Sequence, residues 1–529
     1  MDILLAFPPL WNHEHPHLGL PILKAYLQKC GYTSCKIIDY NVVIMDRIVR
    51  SYLQDISKEK LVMYDSVRTI MKGHTDSDKI KSGWAMQYIT KELVEVGKYI
   101  YENVSFDPIS FDAIVEKFIN TDIYSDSNVV IKYLAKEVIP QIVKYKPRIL
   151  GLSIVFSSQI LYTLLICREV KKLLPDTKIC LGGPQASIFW KAFIYRDELQ
   201  PYLDVISIEQ GEYSIKALAD CWIKGTKKLI DVPNLIFREE SQNNIIETKK
   251  AHQIPMQDIP MPDFTDLPLD KYCFPKLPYQ MTRGCYWGRC AFCGYRGSNI
   301  QYHISPKDKV ISDLIELKKL HDVRNFYFVD DAIAPNYMEG IAKLILENDL
   351  DIVYTAFLRT EEGFTPEVCA LLYKSGLRSV LFGFESANER ILSIMDKGMT
   401  LQIAVEILRN FKRAGIENHL SCIIGFPSET EEEAYETLNF LVQNAEIYHK
   451  AYINPFRLFS DMCYKQKEFN IENVNFLNPR RHDINGYVSF EYTYDALSGM
   501  DIEKVIQVVE KGRKMVHSTL QKPIFFNSY

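Results

Sequence analysis

Met281-Thr-Arg-Gly-Cys285-Tyr-Trp-Gly-Arg-Cys290-Ala-Phe-Cys293-Gly-Tyr-Arg-Gly297 is the stretch on which the reading of this chain turns. The residues leading into it, Tyr279-Thr282, read as a short strand, so three thiols share one glycine-rich loop at a strand end. No fourth cysteine follows nearby, and two chemistries fit such a trio. An iron-sulfur cluster takes three corners from the loop and leaves one iron open to a substrate or cofactor. A zinc site needs a distant fourth ligand such as Cys273 or His303. Cys30, Cys35, Cys167, Cys180, Cys221, Cys369 and Cys422 are scattered and read as small buried hydrophobes.

Working outward toward the C-terminus, β-rich runs alternate with helical periods. Strands are predicted at Tyr279-Thr282, Asn325-Val329, Ile352-Phe357, Ser379-Phe384, His419-Ile424 and Ala451-Pro455, with helices near 306–320, 337–347, 366–375, 401–414 and 430–445. Six βα units over 276–455 predict an open partial barrel with its site at the carboxyl ends of the strands. Residues 456–529 are aromatic and poorly periodic and read as a cap on that barrel. Tyr452, Phe456, Arg457, Phe459 and Tyr464 are placed near a substrate pocket, with core packing the alternative.

Toward the N-terminus, residues 1–240 predict a second α/β unit, flavodoxin-like or Rossmann-type, with strands Ile3-Phe7, Lys36-Asp39, Ile149-Val155, Lys178-Leu181 and Asp204-Ile208. The interval from about 45 to 145 is too long for a crossover and reads as a helical insertion. Four prolines, Pro255, Pro260, Pro262 and Pro268, mark 241–275 as an extended linker.

With 62 basic and 67 acidic side chains, a net charge of -5 and 47% hydrophobic residues, the composition fits a globular enzyme and gives no reason to expect nucleic acid or membrane as a partner. The start, Met-Asp-Ile-Leu-Leu-Ala-Phe-Pro-Pro, lacks the pattern of a secretory signal, so a cytoplasmic protein is expected.

The cysteine loop, with Phe292 before the third cysteine, resembles the cluster loop of radical S-adenosylmethionine (SAM) enzymes. Four residues separate Cys285 from Cys290, one more than is usual in that family. The resemblance implies a 4Fe-4S cluster on Cys285, Cys290 and Cys293, and SAM bound with the help of Phe292, Asp330, Asp331, Arg359, Glu385, Ser386 and Gly425. It implies reductive cleavage of SAM to a deoxyadenosyl radical and an external one-electron reductant of flavodoxin or ferredoxin type.

The N-terminal unit is similar to the cobalamin-binding domain of one branch of that family, through Phe7-Pro8-Pro9, Leu18-Gly19-Leu20, Gly151-Leu-Ser153-Ile-Val-Phe-Ser157-Ser158, Leu181-Gly182-Gly183-Pro184-Gln185 and Glu209-Gln-Gly211-Glu212. The similarity implies cobalamin contacts at Ser153, Ser157, Ser158, Gly182, Gly183, Gln185, Gly211 and Glu212. The rival dinucleotide reading lacks its glycine fingerprint after the first strand. No Asp-x-His-x-x-Gly segment occurs, and His13, His15 and His17 read as a polar loop, so cobalamin without a protein imidazole on cobalt is expected.

The function this resemblance implies is a cobalamin-dependent C-methyltransferase acting on a peptide or other natural product. A cobalamin-dependent rearrangement or cyclisation and a sensor without turnover are the alternatives. Methylthio transfer to RNA would need a further cysteine trio, which Cys30 and Cys35 do not supply.

Overall fold

The computed structural model describes residues 1–11, 13–71, 95, 99, 110–239, 244–274, 276–294, 301–458, 469–480 and 490–520. The end of the cysteine segment from residue 295, Phe459, Tyr464 and much of the predicted helical insertion lie outside the described residues.

The first sheet is built from β1 (Ile3–Phe7), β2 (Cys35–Asp39), β3 (Ile149–Ser153), β4 (Lys178–Gly182), β5 (Val205–Ser207), β6 (Leu235–Glu239) and β7 (Asn244–Glu247), in the order β2-β1-β3-β4-β5-β6-β7. β1 to β5 are parallel, and their order is the flavodoxin-like one. β6 and β7 are antiparallel additions that the sequence reading lacks, and they carry the sheet to Glu247, past the expected boundary at 240. β1 is buried along its whole length, as parallel strands covered on both faces are. Its alternating side chains feed two cores. Ile3, Leu5 and Phe7 join a core continuous with Phe326, Tyr354 and Val380 of the second sheet. Leu4 and Ala6 join one that holds Ile160, Phe189, Phe490 and Tyr492.

The expected insertion is helical where described, with Tyr40–Ile56, Lys58–Met71, Phe111–Asn120 and a run of turns from Val129 to Tyr145. Asp39 caps the first of these by accepting from the Val42 amide.

The second sheet comprises β8 (Lys276–Tyr279), β11 (Asn325–Phe328), β12 (Val353–Leu358), β13 (Leu377–Glu385), β14 (Glu417–Ile424) and β15 (Lys450–Pro455). All pairs are parallel and in sequential order, the order expected of an open partial barrel, and β8 and β15 form its two edges. Between β8 and β11 a small antiparallel ladder, β9 (Thr282–Arg283) with β10 (His303–Ile304), closes the base of the cysteine loop. The first strand of this series begins at Lys276 and stops at Tyr279, three residues earlier than predicted. It carries Pro278, a residue that reads as a strand breaker but is admissible on an edge. Helices such as Glu431–Gln443, opened by a Thr430/Glu433 capping box, return the chain between strands.

The C-terminal segment differs from a cap lying on the barrel alone. β16 (Ile471–Arg480) and β17 (Glu491–Ala496) pair antiparallel and pack on the first unit, where Tyr492 donates to the Ile188 carbonyl at 2.7 Å and its ring meets Phe189. The final helix, Ile502–Leu520, covers β15 on the other side, with Arg513 Nε donating to the Ile453 carbonyl at 3.0 Å. Among the described residues no helix is long and apolar enough to cross a membrane.

Candidate active site

Asp330, just past β11, is fully buried and one of its oxygens accepts from the Met281 and Thr282 amides. Its other oxygen has no hydrogen-bond partner, and burial pushes its pKa up to about 7. Asp330 thus sets the start of the cysteine loop, a role the sequence reading did not give it. Asp331 beside it is exposed.

The loop is clasped by the turn that follows the helix Glu389–Ile394. Trp287 Nε1 donates to the Asp396 carbonyl at 2.7 Å and the Ala291 amide donates to the Met395 carbonyl at 2.7 Å. Gly398 has φ +72 and lies against Trp287, so a Cβ there would run into the indole ring. Arg359, at the end of β12 and 5% exposed, ties the parts together. Its Nη2 donates to the Lys397 carbonyl at 2.6 Å, Nε to Glu361 at 2.7 Å, and Nη1 faces the Cys290 sulfur at 3.8 Å. The guanidinium also stacks over Trp287 at 4.9 Å.

Lys397 turns inward and pairs with Glu385 at 2.8 Å, both side chains being almost fully buried. Its ammonium also lies 5.6 Å from the centre of the half-buried Phe292 ring. Burial pushes the Cys290 thiol up, while Lys397 and Arg359 pull it down. These cations favour the thiolate that a metal requires. None of the three loop cysteines is in a disulfide. Among the described residues no three His, Cys, Asp or Glu side chains converge as a ready metal cage. Three thiols on one loop beside two cations fit a cluster by their donor chemistry. The zinc alternative loses one ligand, because Cys273 is buried with its sulfur 3.1 Å from His13 Nε2, while His303 pairs opposite Arg283 in β10.

Ser386 and Gly425 are engaged within the protein. The Ser386 hydroxyl meets Thr437 at 3.0 Å and accepts from the Asn388 amide. The Gly425 amide donates to the buried Glu429, and Val505 of the last helix packs over it. Burial pushes Glu429 up to about 8.

At the carboxyl edge of the first sheet, Ser158 donates to the Leu10 carbonyl at 2.6 Å, and Ser157 both donates to Gln185 at 2.7 Å and accepts from the Phe490 amide at 2.9 Å. Gln159, absent from the sequence reading, braces this edge from Val155, Phe156 and Pro8. At Gly183 (φ +89) a Cβ would sit 2.6 Å from the Ile154 carbonyl oxygen, so its bareness serves the protein's own backbone. At Gly182 the nearest atom is 3.9 Å away, and Ser153 beside it is half-buried, which leaves room for a ligand. Gly211 opens a helix packed on Leu23. Glu212 reaches across to Arg283, two residues before Cys285, in a buried ion pair of 2.5 Å.

The family model of the Radical SAM superfamily matches residues 279–441, from the end of β8 through the helix after β14. Residues 279–441 are a radical SAM domain. The family implies a 4Fe-4S cluster and SAM as this domain's cofactors. An uncharacterized methyltransferase of Pyrococcus horikoshii is 29% identical over 311 residues, 56% of this chain and 64% of that one. The anaerobic magnesium-protoporphyrin IX monomethyl ester cyclase of Rubrivivax gelatinosus is 26% identical over 334 residues, 60% of this chain and 58% of that one. The chain thus spans less than two thirds of either relative's length. Among solved structures, the radical SAM methyltransferase TsrM of Kitasatospora setae, determined with cobalamin and a 4Fe-4S cluster bound, superposes with a TM-score of 0.59 at 14% identity, over 98% of this chain and 89% of that one. At that identity the likeness is one of fold, and it takes in both units of this chain and not the radical SAM domain alone.

Proposed function

We propose that this chain is a cobalamin-dependent radical SAM C-methyltransferase acting on an unactivated carbon of a peptide or other natural product. The observation that carries the reading is the pairing of the two carboxyl edges through Glu212 and Arg283, which sets the cysteine loop against the edge where Gly182 leaves space. A methyltransferase among the relatives and a cobalamin-bound methyltransferase of the same fold support it.

In this reading Cys285, Cys290 and Cys293 hold the cluster, and SAM lies between the loop and the ends of β11 to β14. When bound, the cluster supplies the electron that splits SAM, and cobalamin supplies the methyl group. The protein's own part is placement. Asp330 fixes where the loop begins, Arg359 and Lys397 keep positive charge beside Cys290, and the clasp from Met395 to Gly398 shields the loop from water. Ser153 and Gly182 line the approach for cobalamin, with Ser157, Ser158, Gly183, Gln185, Gly211 and Glu212 shaping the edge around it. An external one-electron reductant completes the requirement, and the protein works in the cytoplasm. The named cyclase relative favours a second reading, in which the same cofactors drive ring formation without methyl transfer.

The test is anaerobic purification with cobalamin supplied, followed by iron, sulfide and cobalt analysis. About four irons and one cobalt per chain are expected. Zinc without iron sinks the reading. Product mass then separates the two chemistries, since methylation adds one carbon unit per turnover.

A further inference from the structure

Several polar side chains are surrounded by protein on all sides and still keep accessible surface, which places them on the wall of an internal chamber. They are His15 and His17, from the loop after β1, and Lys276 at the start of β8, with Lys450 of β15 nearby. The chamber occupies the open seam of the second sheet, because β8 and β15 are its two edges. Its wall is aromatic, with His15 5.0 Å and Phe357 5.5 Å from Tyr327, centre to centre.

Lys276 stands out within it. Its ammonium lies over the rings of Tyr327 at 4.9 Å and Phe274 at 5.7 Å, and makes no hydrogen bond or ion pair among the described residues. Glu14 is the carboxylate whose charge acts on both Lys276 and Lys450. Thr355, register neighbour of Tyr327 on the adjacent strand, buries a hydroxyl that has no partner. His17, held neutral by burial with its pKa down at about 4, adds no charge. Leaving an ammonium and a hydroxyl unanswered in such a place is costly unless a ligand answers them.

We propose that the chamber takes a substrate bearing a carboxylate on an aromatic or aliphatic body, with the Lys276 ammonium as its anchor and the Thr355 hydroxyl as a second donor. This deepens the methyltransferase reading and rests on its placing the reaction at the carboxyl end of the barrel. Lys276 and Tyr279 stand at opposite ends of β8, three residues or about 10 Å apart. The carbon attacked near the cysteine loop is therefore at least that far from the substrate's carboxylate. The other source of such an anion is the phosphate of cobalamin's nucleotide tail.

The test needs no turnover. The full chain is titrated by fluorescence with 2-naphthoate and with neutral 2-naphthamide, as wild type and as Lys276→Met and Lys276→Arg, with aqua-cobalamin uptake measured by dialysis in parallel. Wild type and Lys276→Arg are expected to prefer naphthoate by roughly tenfold, and Lys276→Met to lose that preference while keeping its naphthamide affinity and cobalamin uptake. Lys276→Met removes an unpaired buried charge, so its melting temperature should not fall. Equal binding of the two probes by wild type, or an unchanged preference in Lys276→Met, overturns the proposal. Loss of cobalamin uptake with the preference intact assigns the lysine to the cofactor's phosphate instead. Failure of the methyltransferase reading would appear in metal content and product mass, and leaves the naphthoate result standing.

Discussion

At the carboxyl edge of the second sheet, side chains reach across to one another, Arg359 to Glu361 and to the Lys397 carbonyl, Lys397 to Glu385, Trp287 to the Asp396 carbonyl. At the same edge of the first sheet, Ser157, Ser158 and Gln159 turn back onto neighbouring loops and leave open space only beside Gly182. Two parallel sheets present the same kind of crevice and finish it in opposite ways. The first is braced before any ligand arrives. The second is a charged cage around a loop whose three thiols have no metal cage of their own.

The largest expected effect tests the cage. Changing Cys285, Cys290 or Cys293 to Ala should abolish SAM cleavage and cut iron content severely, measured on anaerobically reconstituted protein. Cleavage retained in any one of the three would remove the loop from its role.

Lys397→Met comes next. It strands Glu385 as a buried carboxylate without its cation, and about 3–5 kcal/mol of unfolding free energy should be lost in urea titrations. A loss below 1 kcal/mol would mean the pair is solvated and the cage open.

Glu429→Gln sharpens the contrast through pH. The folded pKa of Glu429 lies above its unfolded value of 4.5, so the folded state holds the proton more tightly and stability falls as pH rises from 4.5 toward 8. The glutamine variant should flatten that decline, gaining on the order of 1–3 kcal/mol at pH 8 relative to wild type. A decline of unchanged slope would place the titration elsewhere.

Within the first edge, Gly183→Ala should cost about 1–3 kcal/mol because its φ is positive and its Cβ meets a carbonyl, while Gly182→Ala should be nearly silent in stability. Gly182→Phe then asks the functional question, with reduced cobalamin uptake expected and unchanged uptake relocating the cofactor. The smallest effect belongs to Arg390→Ala, which removes a half-exposed ion pair to Glu433 and should cost under 1 kcal/mol.

Much of this was legible in the sequence because strand periodicity and strand-end motifs are local. The five parallel strands of the first sheet and five of the six in the second stand where hydrophobic runs placed them. The rest depended on distant partners. β6 and β7 are short and half polar and carry no mark of joining a parallel sheet. Pro278 disguised the first barrel strand. Asp330 looked like a ligand for SAM because an acid at a strand end does, and nothing nearby says that the Met281 and Thr282 amides arrive there. The order Glu385 then Lys397 could have suggested a pair, but only the helix between them brings the two charges together. The hairpin from Ile471 to Ala496 gave no sign that it would settle on the first unit.

The Glu212–Arg283 bridge has a thermodynamic consequence. Because it joins one sheet's crevice to the strand that launches the cysteine loop, a molecule that prefers the bridged arrangement also stabilises that setting of the loop. Linkage makes the relation reciprocal: a filled loop raises that molecule's affinity by the same factor, so each cofactor's loading would bias the other's.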